Sequence, residues 1–388
     1  MKTWFCGIIL FCLLAFAGHA QTNADAAVAA ALRNNPLIRA ATLETEAKKY
    51  AEKNALRLPN PEVNAESPTG EFYAIGVLQS FEFPTVYNRQ KKVAQAETAL
   101  AQLGQRVSEN DLRFAVRSLY LETQATEFLA KQWAQRDSLY QLINTAAQRQ
   151  FSAGEIDLLQ KTLVENELGT IHQERLSAEQ LLNALRQQLA TLTGIGQLGT
   201  LTPLSLDSIP PNFVQNITGN PNLAFAQQSV QLANQQLELS KTQVLPNFSA
   251  GYLNQGVRGT PLDYRFRVSI GIPLWVGQYR AGLQSAESQV QAAQSRAAGE
   301  LQTLNLELFR AQADWTTGLN QVRYYEREAL PRSRAIIVTA TRMREAGQVD
   351  YLTFLRTLDE AFTIQREYVA QLQNANLSRI KLLYLAGQ

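Results

Sequence analysis

Side chains able to do covalent or metal chemistry are scarce in this sequence. Cysteine occurs only at Cys6 and Cys12, histidine only at His19 and His172, and methionine only at Met1 and Met343. Removal of residues 1–20 leaves no thiol and a single imidazole. That excludes thiol catalysis, disulfides, zinc-finger spacing and a His-rich metal set. There is no Gly-rich phosphate loop and no nucleophile motif, and His172, a lone imidazole in a polar helix and read as a surface residue, cannot complete a triad. The expectation is a protein that is not an enzyme and takes no cofactor and no metal. What remains is electrostatic: carboxylates at Asp157 and Asp350, guanidiniums at Arg149, Arg342 and Arg344, and charges spaced along strand-like segments at Glu62, Glu66, Glu82, Arg265 and Arg267.

The elements that must position these groups are long. Of 388 residues, 45% are hydrophobic and 18% charged, with 36 basic against 34 acidic side chains. That balance lacks the basic excess that phosphate contacts demand, so no nucleic-acid partner is expected. Residues 1–20 read as a secretory signal peptide, with Lys2, an apolar stretch from Trp4 to Ala17, and Gly18-His19-Ala20 before the cleavage point. Neither cysteine sits in a lipoprotein-type context, so no lipid anchor is expected. Beyond the signal no apolar run reaches the length of a membrane helix.

The chain repeats itself. LPNPEV at Leu58 and LPNFSAGY at Leu245 open two segments of the same plan. Upstream, NNPLIRAA matches GNPNLAFA; downstream, RQFSAGEIDLL matches RMREAGQVDYL. The offset that lays Gly154 on Gly347 also lays Gly194 on Gly387, which indicates a duplicated domain and not a solenoid of short units. Two structural repeats are expected, 21–200 and 201–388, each with two strands and a helical hairpin turning near 154 or 347. None of the 13 prolines lies between Pro84 and Pro203, and only Pro331 follows Pro273. Those proline-poor stretches are rich in Ala, Gln, Leu and Glu, all helix formers. From Asn88 to Gln150 a straight helix would reach about 95 Å, longer than a compact globule needs. Pro331 predicts a kink in the second long helix.

Four segments alternate with period two, at about 61–67, 72–83, 246–254 and 264–273. Val63 and Ala65 oppose Glu62, Asn64 and Glu66. Tyr73, Ile75, Val77, Phe81 and Phe83 oppose Ala74, Gly76, Ser80 and Glu82, with Leu78 and Gln79 as exceptions. Phe248, Ala250 and Tyr252 oppose Asn247, Ser249 and Gly251, while Tyr264, Phe266, Val268, Ile270 and Ile272 oppose Arg265, Arg267, Ser269 and Gly271. Turn-forming residues at 67–71 and 254–263 close two hairpins. Such strands suit a membrane barrel as well as a soluble sandwich, and four of them cannot close a barrel alone.

Two halves of this kind, carrying LPNPEV with QSFEFPTVYNRQKKVAQAE and LPNFSAGY with GIPLWVGQYRAGLQSAE, plus the turns AGEIDLLQ and AGQVDYLTFL, resemble the TolC-like outer-membrane efflux proteins. The resemblance implies an α+β, mainly α fold: a homotrimer whose protomers share a twelve-stranded transmembrane β-barrel, four strands each, continuous with a long α-helical barrel reaching into the periplasm. It implies the exit duct of a tripartite efflux system, served by a periplasmic adaptor (membrane fusion) protein and an inner-membrane RND pump. Asn60-Pro61-Glu62 and Gln79-Ser80-Phe81-Glu82 are most similar to the branch serving heavy-metal pumps.

On that resemblance Gly154, Glu155, Asp157, Gly347 and Asp350 form the periplasmic tip and meet the adaptor. Arg149, Arg342 and Arg344 tether a closed gate, and Glu62, Glu66, Glu82, Arg265 and Arg267 line the lumen. The residues alone support a plainer role for the two aspartates, as carboxylates at helix starts. A periplasmic adaptor with its own helical hairpin is the alternative reading. It accounts poorly for two hairpins and four amphipathic strands.

Overall fold

The computed structural model describes residues 23–56, 58–66, 74–196, 198–209, 217–254 and 266–388. The expected signal peptide, Arg265 and nearly all of the two hairpin loops lie outside the described residues. Helices α1 (Ala24–Asn34) and α2 (Pro36–Asn54) lead into strands β1 (Glu62–Glu66) and β2 (Ala74–Phe81), then α3 (Pro84–Ser152) and α4 (Leu158–Thr193). The second half repeats the order with α5 (Pro221–Ser240), a 3₁₀ turn at Lys241–Val244, β3 (Asn247–Asn254), β4 (Phe266–Gly271) and α6 (Val276–Tyr324). A π segment at Tyr325–Ala329 then joins α6 to α7 (Leu330–Glu345), and α8 (Tyr351–Ala386) returns.

The repeated motifs have local physical reasons. In NNPLIRAA, Asn35 caps α2 by accepting from the Leu37 N–H at 2.8 Å, and Pro36 supplies the preset φ of the first helical turn. In GNPNLAFA, Asn220 and Pro221 do the same for α5, with Asn220 accepting from Asn222 at 2.8 Å. Each returning helix ends against this junction. Asn34 Nδ2 donates to the Thr193 carbonyl at the end of α4 (3.0 Å), and Asn220 Nδ2 donates to the Leu385 carbonyl at the end of α8 (3.1 Å).

Helix α3 runs unbroken for 69 residues, while its counterpart is divided into 49 residues, a five-residue π segment and 16 residues. The π segment ends two residues before Pro331, and the intervening Leu330 N–H reaches back to the Tyr325 carbonyl. The sequence marks the place through Pro331, and the interruption takes the form of a widened turn.

Side by side toward the sheet the helices stand in the order α2, α3, α5, α6; toward the opposite end the neighbours are α4, α3, α8, α7. There is no single central core. Tyr140, Val164, Ile171, Phe354 and Leu358 form one buried cluster among α3, α4 and α8. Val28, Val116, Tyr120 and Leu189 form a second, and Leu223, Leu304, Leu308 and Leu382 a third. Burial of each such side chain contributes about 1.5–3 kcal/mol. No described helix is long and apolar enough to cross a membrane.

The four strands form one antiparallel sheet in the order β1-β2-β3-β4. Its register puts Val63, Val77, Tyr252 and Phe266 in one cross-strand row, with Phe81, Phe248 and Ile270 in another on the same face. The opposite face carries the row Glu62, Leu78, Gly251, Arg267 and the row Ser80, Ser249, Ser269. Gln79, the polar exception on the apolar face, has its amide satisfied by the Pro59 and Ser80 carbonyls at 2.8 and 2.9 Å. A sheet with one apolar and one polar face, open at β1 and β4, requires further strands to satisfy its edges.

Candidate functional site

The helical turns are built alike. Gly154 (φ 78°) and Gly347 (φ 68°) adopt the left-handed conformation, and nothing lies within 4 Å of where a Cβ would stand. The glycines are thus required by backbone conformation and not by crowding. The Glu155 N–H returns to the Gln150 carbonyl and the Gln348 N–H to the Met343 carbonyl, both at 2.9 Å, which closes each helix end. Asp157 Oδ1 then accepts from the Gln160 N–H at 2.8 Å, and Asp350 Oδ1 from the Thr353 N–H at 2.7 Å. Both aspartates are N-caps of the returning helices, and Glu155 is exposed on its turn.

The Asp350 carboxyl sits below the ordinary carboxylate range, first because of the Thr353 backbone N–H and then because of the Thr353 hydroxyl, with smaller help from Leu352 and the Arg344 charge. A depressed folded-state pKa means that the cap acts fully above the free carboxylate's pKa and is lost as pH falls through the lower folded value. Hydrogen exchange of the Thr353 amide, relative to its intrinsic rate, is therefore expected to accelerate in acid in the wild type. In the Asp350→Asn variant, which keeps an acceptor without a titrating proton, the ratio is expected to stay flat.

The three arginines at this end part company. Arg344 donates from Nη2 to Gln150 Oε1 at 2.9 Å and from Nη1 to the Val349 carbonyl at 2.9 Å, and stacks 3.6 Å from the Tyr351 ring centroid. The Tyr351 hydroxyl donates to the same Gln150 oxygen at 2.8 Å. This knot ties the end of α3 to α7 and α8, so it links the two hairpins. Arg149 and Arg342 are exposed and make no ion pair among the described residues. Gln150 and Tyr351 escaped the sequence reading. The signal was an asymmetry in the repeat, Tyr351 standing where the first half has Leu158.

A second link lies further along the hairpins. Arg136, 5% exposed, places Nη2 2.9 Å from Asp359 Oδ1 on α8 and 3.7 Å from Glu167 Oε1 on α4. Its guanidinium stands 4.7 Å from the Phe362 ring and 5.1 Å from Trp133. Beside it, burial pushes the Tyr140 hydroxyl up to about 12, so that group stays neutral. The adjacent Asp137 lies 3.1 Å from Arg175 Nε and 3.4 Å from His172 Nδ1, so the lone histidine is half-exposed and beside a buried carboxylate.

At the sheet end, Glu62 and Arg267 are exposed at opposite edges of one polar row, and Glu66 is the last residue of β1. Glu82 follows β2, and its N–H donates to the Tyr87 hydroxyl at 2.9 Å. No group of His, Cys, Asp and Glu able to hold a metal ion occurs among the described residues.

A two-faced sheet carrying paired helical hairpins is the fold shared with solved outer-membrane channels. Residues 214–388 match the outer membrane efflux protein family. Solved structures share the fold over nearly the whole length. CusC, studied for folding and transmembrane channel formation, is 17% identical, with a TM-score of 0.80 over 95% of this chain and 93% of its own. The Campylobacter jejuni CmeC outer membrane channel is 12% identical, with a TM-score of 0.81 over 94% and 85%. The Vibrio cholerae outer membrane protein VceC is 15% identical, with a TM-score of 0.77 over 94% and 96%. No curated protein sequence matches the chain.

Proposed function

We propose that the protein works as a homotrimer in which three four-stranded sheets close one barrel and conduct substrate passively from a periplasmic adaptor and an inner-membrane RND pump to the exterior. The observation that carries this reading is the sheet: two-faced, open at both edges, and attached to hairpins that no compact core requires. Closure in a ring brings the β4 edge of one copy to the β1 edge of the next. Arg267 and Glu62 then stand on the two edge strands that join, and Glu62, Glu82 and Arg267 face the lumen. Mixed signs there favour weak ion selectivity. The turns at Gly154, Glu155, Asp157, Gly347 and Asp350 form the adaptor-facing tip, and Arg344 is the member of the arginine set that holds it shut. The similarity of Asn60-Pro61-Glu62 and Gln79-Ser80-Phe81-Glu82 to the heavy-metal branch supports cations as the cargo.

Crosslinked co-purification from the native envelope tests the assignment. Recovery of an adaptor and a cation-type RND pump, with crosslinks at the two turns, is the expected result. A drug-type or ABC pump would keep the duct and discard the metal. Recovery as a soluble periplasmic protein with no pump would refute the duct.

A further inference from the structure

At the helical end of the sheet lies a groove of about 390 Å³ between the 3₁₀ turn and the start of α6. Val244, Pro273, Val276 and Leu283 supply its apolar walls, and Lys241 and Arg280 stand at its rim. The groove adjoins the end of β4, beside a run of exposed apolar side chains: Ile270, Ile272 and Leu274 carry on the apolar parity of β4, and Trp275, next in sequence, is 74% exposed. Pro273 and Tyr279 separate it from an adjoining, more polar hollow that includes Glu82, Asn247 and Gly271. Helix α5 is flanked by α3 and α6 of the same chain, so the groove lies within one protomer.

Charge at the rim is unbalanced. Lys241 Nζ lies 2.7 Å from one oxygen of Glu238, and Arg89 Nη2 lies 3.0 Å from the other, so two cations share one carboxylate. The Glu238 carboxyl is held below its ordinary range, first by the Lys241 hydrogen bond and further by the charges of Lys241, Arg89 and Lys92. Arg280 is exposed and has no ion pair among the described residues. A ligand that complements the site needs an apolar chain and a net negative head. It must also sit where a membrane-facing surface gives way to water, the depth at which an exposed tryptophan and long cationic side chains gather.

We propose that this groove binds an anionic glycerophospholipid of the periplasmic leaflet of the outer membrane, its acyl chain against Val244, Pro273, Val276 and Leu283 and its phosphate between Lys241 and Arg280. The proposal rests on the sheet's being the membrane-spanning part. Juxtamembrane cations draw anionic lipid in this way, and the apolar wall distinguishes a lipid from a free anion.

The test uses the full-chain protein, delipidated in detergent and offered an equimolar mixture of phosphatidylglycerol and phosphatidylcholine, with bound lipid read by native mass spectrometry. The wild type is expected to retain phosphatidylglycerol at least five-fold over phosphatidylcholine. The K241Q/R280Q variant is expected to lose that preference, while K131Q/R332Q, altered far from the groove, keeps it. Equal retention of the two lipids by the wild type, or an unchanged preference in K241Q/R280Q, overturns the proposal. Displacement of the lipid by millimolar inorganic phosphate overturns it in favour of a simple anion site. Conductance of the same preparations across a planar bilayer separates the two readings: a conducting protein without the preference loses only the groove, and a protein that neither conducts nor inserts loses the duct.

Discussion

Arg344→Ala is expected to raise the open-to-closed ratio of the periplasmic end by roughly 30-fold. Arg344 makes two charge-assisted hydrogen bonds and a ring contact, and two of those three contacts bear on the knot with Gln150 and Tyr351. Hydrogen bonds to a charged group contribute about 1.5–3 kcal/mol each when sealed from water. The guanidinium is only half-buried, and exposed charge contacts are screened, so about 2 kcal/mol for the whole knot is the reasonable figure. At about 1.4 kcal/mol per decade that is the 30-fold stated. Tyr351→Phe removes one hydrogen bond and keeps the ring, so a smaller shift in the same direction is expected. Arg149→Ala and Arg342→Ala should change the ratio less than about two-fold, because neither side chain holds an ion-pair partner among the described residues. Single-channel recording in planar bilayers reads all four variants. An Arg344→Ala channel with wild-type closed times would remove Arg344 from the gate.

The second large effect concerns the buried guanidinium of α3. Asp359→Ala is expected to cost about 3 kcal/mol, more than Arg136→Met, although Arg136 is the residue with the longer list of contacts. The reason is the asymmetry of desolvation. Removing Asp359 leaves a guanidinium that is 5% exposed with only Glu167, at 3.7 Å, to balance it. Uncompensated buried charge typically costs 3–5 kcal/mol, and the partial exposure of Asp359 places this case at the low end. Arg136→Met removes the charge itself and leaves an unbranched chain among Trp133, Tyr140 and Phe362, while Asp359 and Glu167 return to water. A loss under about 1.5 kcal/mol follows from a volume-conserving swap of this kind. Denaturant unfolding followed by Trp133 fluorescence gives the ranking. If Arg136→Met proves the more damaging, the arginine acts mainly through its aromatic contacts and the ion pair is secondary.

Features with a short-range cause were legible in the sequence. Asn-Pro announces a helix start in both halves because cap and preset φ are local. The glycines at 154 and 347 announce turns because only a left-handed residue closes the helix there. Period-two alternation gave the faces of the sheet, and β2 and β4 end at Phe81 and Gly271, two residues before the expected limits. Contacts between distant parts of the chain were not legible. Nothing near Arg136 in sequence distinguishes it from the solvent-facing arginines of α6 and α7; its partners arrive from α4 and α8. His172 read as a surface side chain because Asp137, its neighbour across the hairpin, belongs to another helix. Gln150 was one glutamine among many until Arg344 and Tyr351 were placed against it.

The π segment has a consequence for which residue can reach Gln150 at all. Along α6 and to the end of the π segment, Leu308, Trp315, Val322 and Ala329 recur at the heptad interval on the side turned toward the neighbouring helices. Beyond the π segment the inward positions are Ser333, Ile337, Ala340 and Arg344, displaced by one residue from that series. An uninterrupted helix would have carried the series on to Met343, and a thioether would have faced the Gln150 amide. In α3, where Val116, Thr123, Ala130 and Asp137 keep step without a slip, no such displacement occurs. The widened turn therefore acts as a phase shifter: a single extra residue upstream decides that the two hairpins are tied by a cation at their ends. In the proposed ring of three, columns that keep phase alternate with columns that shift it, so the tube has three-fold symmetry even though each chain was built by doubling.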